Sequence, residues 1–137
     1  MKEEHSMTEE DKTLLDEAAR VRGFAYAPYS NFKVGAAIRT KDGKMYGGCN
    51  IENSSFSSTM CAERTAIYRA VSSGETEFDA IAVVSDSPNP AAPCGSCLQV
   101  MAEFGVSRII MSNLNGDTEE MTIGELLPKA FSKENME

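Results

Sequence analysis

Histidine is nearly missing from this 137-residue sequence, with His5 the only one, and basic clusters, internal repeats, low-complexity tracts and long apolar runs are missing altogether. Each scarcity excludes something. Lys and Arg number 13 against 21 Asp and Glu, a net charge of −8, and they do not gather into a stripe. Polynucleotide binding draws on clustered cations that displace phosphate counterions, so no nucleic-acid polymer is expected as a partner. The longest apolar run, Ala80-Ile81-Ala82-Val83-Val84, falls far short of the roughly 20 residues that cross a bilayer, so no membrane partner is expected either. The start, Met1-Lys2-Glu3-Glu4-His5, lacks the apolar core of a signal peptide. That makes the cytoplasm the expected compartment, where thiols stay reduced.

What is present is an ordinary globular composition, 42% hydrophobic and 25% charged, in a chain long enough for one core and too short for two. One domain over 1–137 is expected, with 1–7 a disordered leader. Thr8 is placed to cap a helix whose first turn carries Glu9, Glu10 and Asp11, where negative charge is favoured. Leu14, Leu15, Ala18, Val21 and Ala25 recur at helical spacing, so the helix is predicted over 8–25, ended by Pro28. Residues 32–40 and 45–51 read as a hairpin turned at Asp42-Gly43. A polar Ser-rich loop follows, then a helix over 61–73 stopped by Gly74. Residues 80–84, apolar throughout, predict a strand buried on both faces and parallel to a neighbour. A loop with three prolines over 86–93 leads to a helix over 95–104. Strands are predicted over 108–111 and 119–123, the last antiparallel because its connection is too short for a crossover. A short helix or turn over 122–130 closes the chain. The fold class is α/β, a three-layer α/β/α arrangement on a mixed five-stranded sheet.

The chemistry concentrates in Cys61-Ala62-Glu63-Arg64 and Pro93-Cys94-Gly95-Ser96-Cys97. Three thiols close three corners of a tetrahedron around zinc and leave the fourth for water. Cys94 and Cys97, three apart at a helix start, fall on one face, and a helix N-terminus favours thiolate over thiol. Zinc lowers the pKa of water from about 15.7 to about 7, and Glu63 is placed to take and return the proton. A Cys-x-Glu followed by Pro-Cys-x-x-Cys is the signature of zinc nucleobase deaminases. Three thiolates on a divalent ion leave one net negative charge, and Arg64 is the candidate to offset it. Residues two apart in a regular helix point roughly 200° apart, so Cys61 has to sit at the first turn or cap if Glu63 is to share its site.

Other readings stand beside this one. Cys-x-x-Cys also serves redox chemistry, although the strand-then-motif context of a thioredoxin-like fold is missing. A structural zinc site needs a fourth protein ligand, for which Cys49 and His5 are the candidates. Cys49, on a strand among glycines, also reads as a small buried side chain. Phe32 reads alternatively as a core residue of its strand, and Asn50 as a turn former.

Taken together, the cysteine segments, Tyr26-Ala27-Pro28-Tyr29-Ser30-Asn31-Phe32-Lys33-Val34-Gly35-Ala36-Ala37, Gly48-Cys49-Asn50-Ile51-Glu52-Asn53 and Leu126-Leu127-Pro128-Lys129-Ala130-Phe131 resemble the small three-cysteine cytidine deaminases. The resemblance covers nearly the whole chain after the start of the first helix. It implies one zinc per chain on Cys61, Cys94 and Cys97, with Glu63 as proton shuttle. It implies Asn50 and Glu52 on the ribose hydroxyls, Phe32 against the base, and Phe131 reaching a neighbouring subunit's site in a homotetramer with shared active sites. The implied activity is hydrolytic deamination of cytidine and deoxycytidine, as in pyrimidine salvage. Three positions depart from the family pattern: Leu98 stands where Arg is common, Phe56 where Tyr is common, and Thr59 where a very small residue is common. They put substrate preference in question, and a relative acting on a modified cytosine nucleoside or a cytosine-containing antibiotic is the alternative. A non-catalytic zinc scaffold is the rival of a different kind.

Overall fold

The computed structural model describes residues 7–90 and 92–136; His5 and most of the expected leader lie outside them. Helix α1 spans Glu9–Arg22, and the Thr8 side chain accepts the Asp11 N–H at its start. It stops earlier than predicted, and Gly23, not Pro28, is the stop. There the chain tightens into bonds to the third residue back, Phe24 to Val21 and Ala25 to Arg22, a common way for a helix to close its last carbonyls.

Strands β1 (Val34–Thr40), β2 (Met45–Cys49), β3 (Phe78–Ser85), β4 (Arg108–Asn113) and β5 (Thr118–Thr122) form one sheet in the order β2-β1-β3-β4-β5. β1 is antiparallel to both β2 and β3, β3 is parallel to β4, and β4 is antiparallel to β5. The five strands, the parallel pairing of β3 and the reversal at Asn115-Gly116 all stand as the sequence predicts. Several strand ends do not: β3 spans Phe78–Ser85 against 80–84, β4 runs on to Asn113 and β5 is Thr118–Thr122 against 119–123. β1 begins at Val34, two residues later than predicted, and β2 ends at Cys49, leaving Ile51 in isolated bridges to Tyr26 and Met60.

The alternation of side chains across the sheet builds two cores. On one face Ala37, Ala80, Ala82, Val84 and Ile110 pack under Leu14 and Ala18 of α1. On the other, Ala36, Ile38, Ile81, Val83, Ile109 and Met111 pack under α2 (Ala62–Ser72) and α3 (Gly95–Glu103). Helix α4 (Ile123–Leu126) follows β5 and carries a capping box between Thr122 and Glu125. Edge strand β2 accommodates helices on both faces through adjacent glycines. A Cβ on Gly47 would lie 2.7 Å from Val21 Cγ1, and one on Gly48 would lie 2.4 Å from Ala66 N. With α2 so close, its N-terminus sits over the end of β2, where Asn50 follows.

An ionic cluster centred on the buried Asp11 ties α1 to four strands, with Asp79 of β3 also meeting Arg39 and Arg108. Asp11 is 4% exposed and accepts from Arg39 Nη2 at 3.1 Å and Arg108 Nη2 at 2.9 Å, while Arg108 also meets Glu120. Burial pushes the Asp11 carboxyl up, but the hydrogen bonds of Arg108 and Arg39 outweigh it and hold it below its ordinary value. A depressed folded-state pKa gives stability that is present above the unfolded value and lost as pH falls through the folded one. The thermal midpoint of the native protein is therefore expected to drop with acid below about pH 4, and Asp11→Asn to flatten part of that drop. At neutral pH the same substitution should cost about 3 kcal/mol, the scale for breaking a buried pair. Thermal unfolding of both proteins across pH checks this, and equal slopes would remove Asp11 from the account.

Candidate active site

Cys61 is the N-cap residue of α2, with extended backbone (φ −71°, ψ 152°), and Cys94 is the N-cap of α3 (φ −68°, ψ 166°). Neither side chain caps its own helix, so both thiols are free to turn away and face each other. This removes the angular difficulty between Cys61 and Glu63: Cys61 lies outside the helix and Glu63 inside its first turn. Cys61 Sγ lies 3.7 Å from Cys94 Sγ, and Cys94 Sγ lies 3.4 Å from Cys97 Sγ. The three sulfurs lie within 4.8 Å of one another. Zn–S bonds of about 2.3 Å at tetrahedral angles put ligand sulfurs about 3.8 Å apart, so the cluster fits zinc with little movement. Cys49 is not part of it among the described residues. Cys49 is half-buried, and burial raises its thiol.

The charges suit thiolates. Two helix N-termini direct their positive ends at the cluster, and Arg64 Nη2 lies 3.4 Å from Cys61 Sγ. The nearby Cys97 thiol, helped by Arg64, lowers the Cys61 thiol to about 5. Cys97, fully buried and beside Cys61, is pushed up in return. In the absence of an ion the set therefore shares protons, and metal binding releases them. Glu63 is 6% exposed. Burial first, then the Cys61 charge, raise its carboxyl to about 7. A buried carboxyl group poised near neutral pH beside three sulfurs that could hold a metal is able to take and return a proton.

A cavity of about 300 Å³ opens over this cluster, lined among others by Phe32, Asn50, Glu52, Cys61 and Glu63. That is the lower end of the size range of small-molecule sites. Phe32 is 42% exposed, so it is not a core residue. Asn50 is buried and does not turn the chain. Its Oδ1 accepts from Val34 N at 2.9 Å, and its Nδ2 donates to Phe32 O at 2.8 Å. Glu52 Oε1 accepts from the N–H groups of Tyr29 (2.9 Å) and Ser30 (3.1 Å), and Oε2 accepts from the Ser30 hydroxyl. Counting donors and acceptors, Asn50 keeps one N–H and one lone pair, and Glu52 keeps one lone pair on Oε2. Both residues line the cavity, and such unspent groups suit a vicinal diol. Phe131 does not line this cavity; it is 61% exposed, and its carbonyl accepts from Gln99 Nε2 of α3 at 2.7 Å.

Ser30 and Ser85 also line the cavity, and sequence reasoning assigned neither. Ser85 ends β3 on the α2 side of the sheet, a position legible from the alternation of Ile81 and Val83 before it. Ser30 carried no signal beyond standing two residues before Phe32.

Fold and site together fit a metal-dependent hydrolase, with three clustered thiols able to hold an ion, a buried carboxyl group beside them and a partly polar cavity next to it. The family model described as the cytidine and deoxycytidylate deaminase zinc-binding region matches residues 8–113. The cytidine deaminase of Sporosarcina psychrophila is 54% identical over 125 residues, covering 90% of this chain and 92% of that one. The blasticidin-S deaminase of Bacillus cereus is 32% identical over 136 residues, covering 93% and 96%. The crystal structure of cytidine deaminase from Burkholderia pseudomallei superposes with a TM-score of 0.86 at 49% identity, covering 91% of this chain and all of that one. The chain belongs to the zinc-binding cytidine and deoxycytidylate deaminase family. Zinc is its cofactor.

Proposed function

We propose that this protein converts cytidine and deoxycytidine with water to uridine and deoxyuridine, releasing ammonia. The observation that carries the reading is a cavity in which Glu63 and Cys61, one of the three clustered thiols, share walls with Asn50 and Glu52, both of which keep hydrogen-bonding capacity.

Bound at Cys61, Cys94 and Cys97, one zinc per chain supplies a Lewis acid that makes water a nucleophile near neutral pH. Glu63 takes the proton of that water at its carboxylate. It passes the proton to the ring nitrogen beside the exocyclic amine as the water oxygen bonds the amine-bearing carbon; the same carboxylate then carries the remaining proton of the added hydroxyl to the amine, so that the C–N bond breaks and ammonia leaves as the carbonyl forms. Burial at Glu63 keeps bulk water from competing for those protons. Arg64 offsets the negative charge that three thiolates leave on the centre. Asn50 and Glu52 hold the sugar hydroxyls, and Phe32 lays an apolar face against the flat base. Phe131, exposed and outside its own cavity, reaches the site of a neighbouring copy, in a cytoplasmic homotetramer with shared sites. Leu98, 7% exposed and packed in the core under α3, brings no charge to the centre, which leaves the compensation to Arg64.

The test is ammonia release from cytidine, deoxycytidine and blasticidin S by protein of measured zinc content. Turnover of the two nucleosides with about one zinc per chain is expected. Turnover of the antibiotic alone would move the assignment to a different deaminase, and bound zinc with no turnover would make the chain a scaffold. In sedimentation, about 60 kDa, or four chains of 14.9 kDa, is expected. A stable monomer that is fully active would end the role given to Phe131.

A further inference from the structure

The segment 28–33, between the turn after α1 and β1, has no ladder of its own, and Asn31 within it adopts a left-handed conformation (φ 58°). It is held from outside, by side chains. Glu52 takes the Tyr29 and Ser30 N–H groups, and Asn50 takes the Phe32 carbonyl and the Val34 N–H. Ser30 joins these two clamps. Its hydroxyl donates to Glu52 Oε2, and its oxygen accepts from Phe32 N at 3.0 Å. Of the two Glu52 oxygens, Oε1 is filled by backbone, so the oxygen with acceptor capacity to spare is the one Ser30 grips. Ser30 itself lines the cavity.

We infer that Ser30 is a positioning residue for the substrate: through one hydroxyl it aims Glu52 Oε2 at the nucleoside sugar and fixes the main chain of Phe32 relative to it. This rests on the reading of Glu52 as a sugar-binding group. Without the hydroxyl, Oε2 loses the hydrogen bond that sets its direction and meets water instead. The carboxylate then has to be ordered at the moment of binding, which weakens binding and not the proton transfers at Glu63. Ser30 is exposed and belongs to neither core, so removing its oxygen leaves the packing of the domain unchanged.

The experiment is steady-state kinetics on zinc-loaded Ser30→Ala, Ser30→Thr and Glu52→Gln proteins, with zinc content and thermal midpoint measured for each. Free cytosine, which has the ring and no sugar, serves as a competitive probe. Ser30→Ala is expected to raise KM for cytidine about tenfold with kcat within about twofold, the signature of lost ground-state binding. Inhibition by cytosine, which shares only the Phe32 contact, should weaken by less than the KM for cytidine rises, and Ser30→Thr, which restores the hydroxyl, should bring KM back to within about threefold. A Ser30→Ala protein with unchanged KM, or with its whole loss in kcat, overturns the inference, as does a Ser30→Thr protein that behaves like the alanine variant. If Glu52→Gln raises KM while Ser30→Ala does not, Ser30 alone loses its role. If Glu52→Gln leaves KM unchanged, the sugar-binding reading of Glu52 fails and this inference falls with it.

Discussion

Glu63→Gln protein is expected to fold, to bind zinc as the native protein does, and to release ammonia from cytidine at least about a thousandfold more slowly, within the range by which a single positioned acid–base group accelerates reactions. The substitution keeps the shape of a side chain that is 6% exposed, so it opens no hole under α2. It removes proton transfer alone. The amide can still hydrogen-bond the ring edge, and a normal or lowered KM should accompany the fall in kcat. No neighbour stands ready to replace it: Arg64 stays charged beside the thiols, and Glu52 is engaged by Tyr29 and Ser30. Zinc content measured on the same sample separates lost chemistry from lost metal. Retained turnover in a zinc-loaded Glu63→Gln protein would show that the proton travels another way.

Cys97→Ala should act on the metal itself. Cys97 is fully buried, in the first turn of α3, and its thiol lies 3.4 Å from Cys94 Sγ. Sharing a zinc-binding free energy on the order of 10 kcal/mol among three thiolates assigns each about 3 kcal/mol, more than a hundredfold in affinity. With only two sulfurs left, purified protein should carry well under one zinc per chain and show background turnover. Because the ion binds the folded chain, its loss also lowers apparent stability. Added zinc is expected to raise the thermal midpoint of chelator-treated native protein, and not that of Cys97→Ala. Stoichiometric zinc of native affinity in the variant would exclude Cys97 from the ligand set.

Much of this site is legible in the sequence because its chemistry depends on short spacings. Cys-x-Glu and Cys-x-x-Cys say which atoms meet, and the requirement that Cys61 and Glu63 share a site already forces Cys61 out of the helix body. The N-cap position in the structure is that requirement met. The strands themselves and the reversal before β5 follow from alternation and connection length. What escapes are features set by tertiary contact. Pro28 looks like the end of α1, yet Gly23 ends it, because the chain must turn to bring Tyr26 into hydrogen bonds with Asn50 and Glu52 main chain. Phe32 reads as the first residue of a strand, yet its backbone is taken by the Asn50 and Ser30 side chains instead of a neighbouring strand. The resemblance assigns Asn50 and Glu52 to the sugar. Their second task, holding up the wall that bears Phe32, cannot be seen until residues about 20 positions apart are placed together.

The thiols that meet at the centre are far apart along the chain: Cys61 and Cys94 are separated by 33 positions, with α2 and β3 between them. An ion held by both closes that loop as a clip, and a clip removes conformations from the unfolded chain whatever it does for the folded one. The entropy at stake rises only slowly with loop length, and for a loop of this size a covalent cross-link removes on the order of 3 to 4 kcal/mol. The atom that makes water reactive is thus also a fastener between two halves of the chain, and a cell short of zinc would lose the fold's restraint together with its activity.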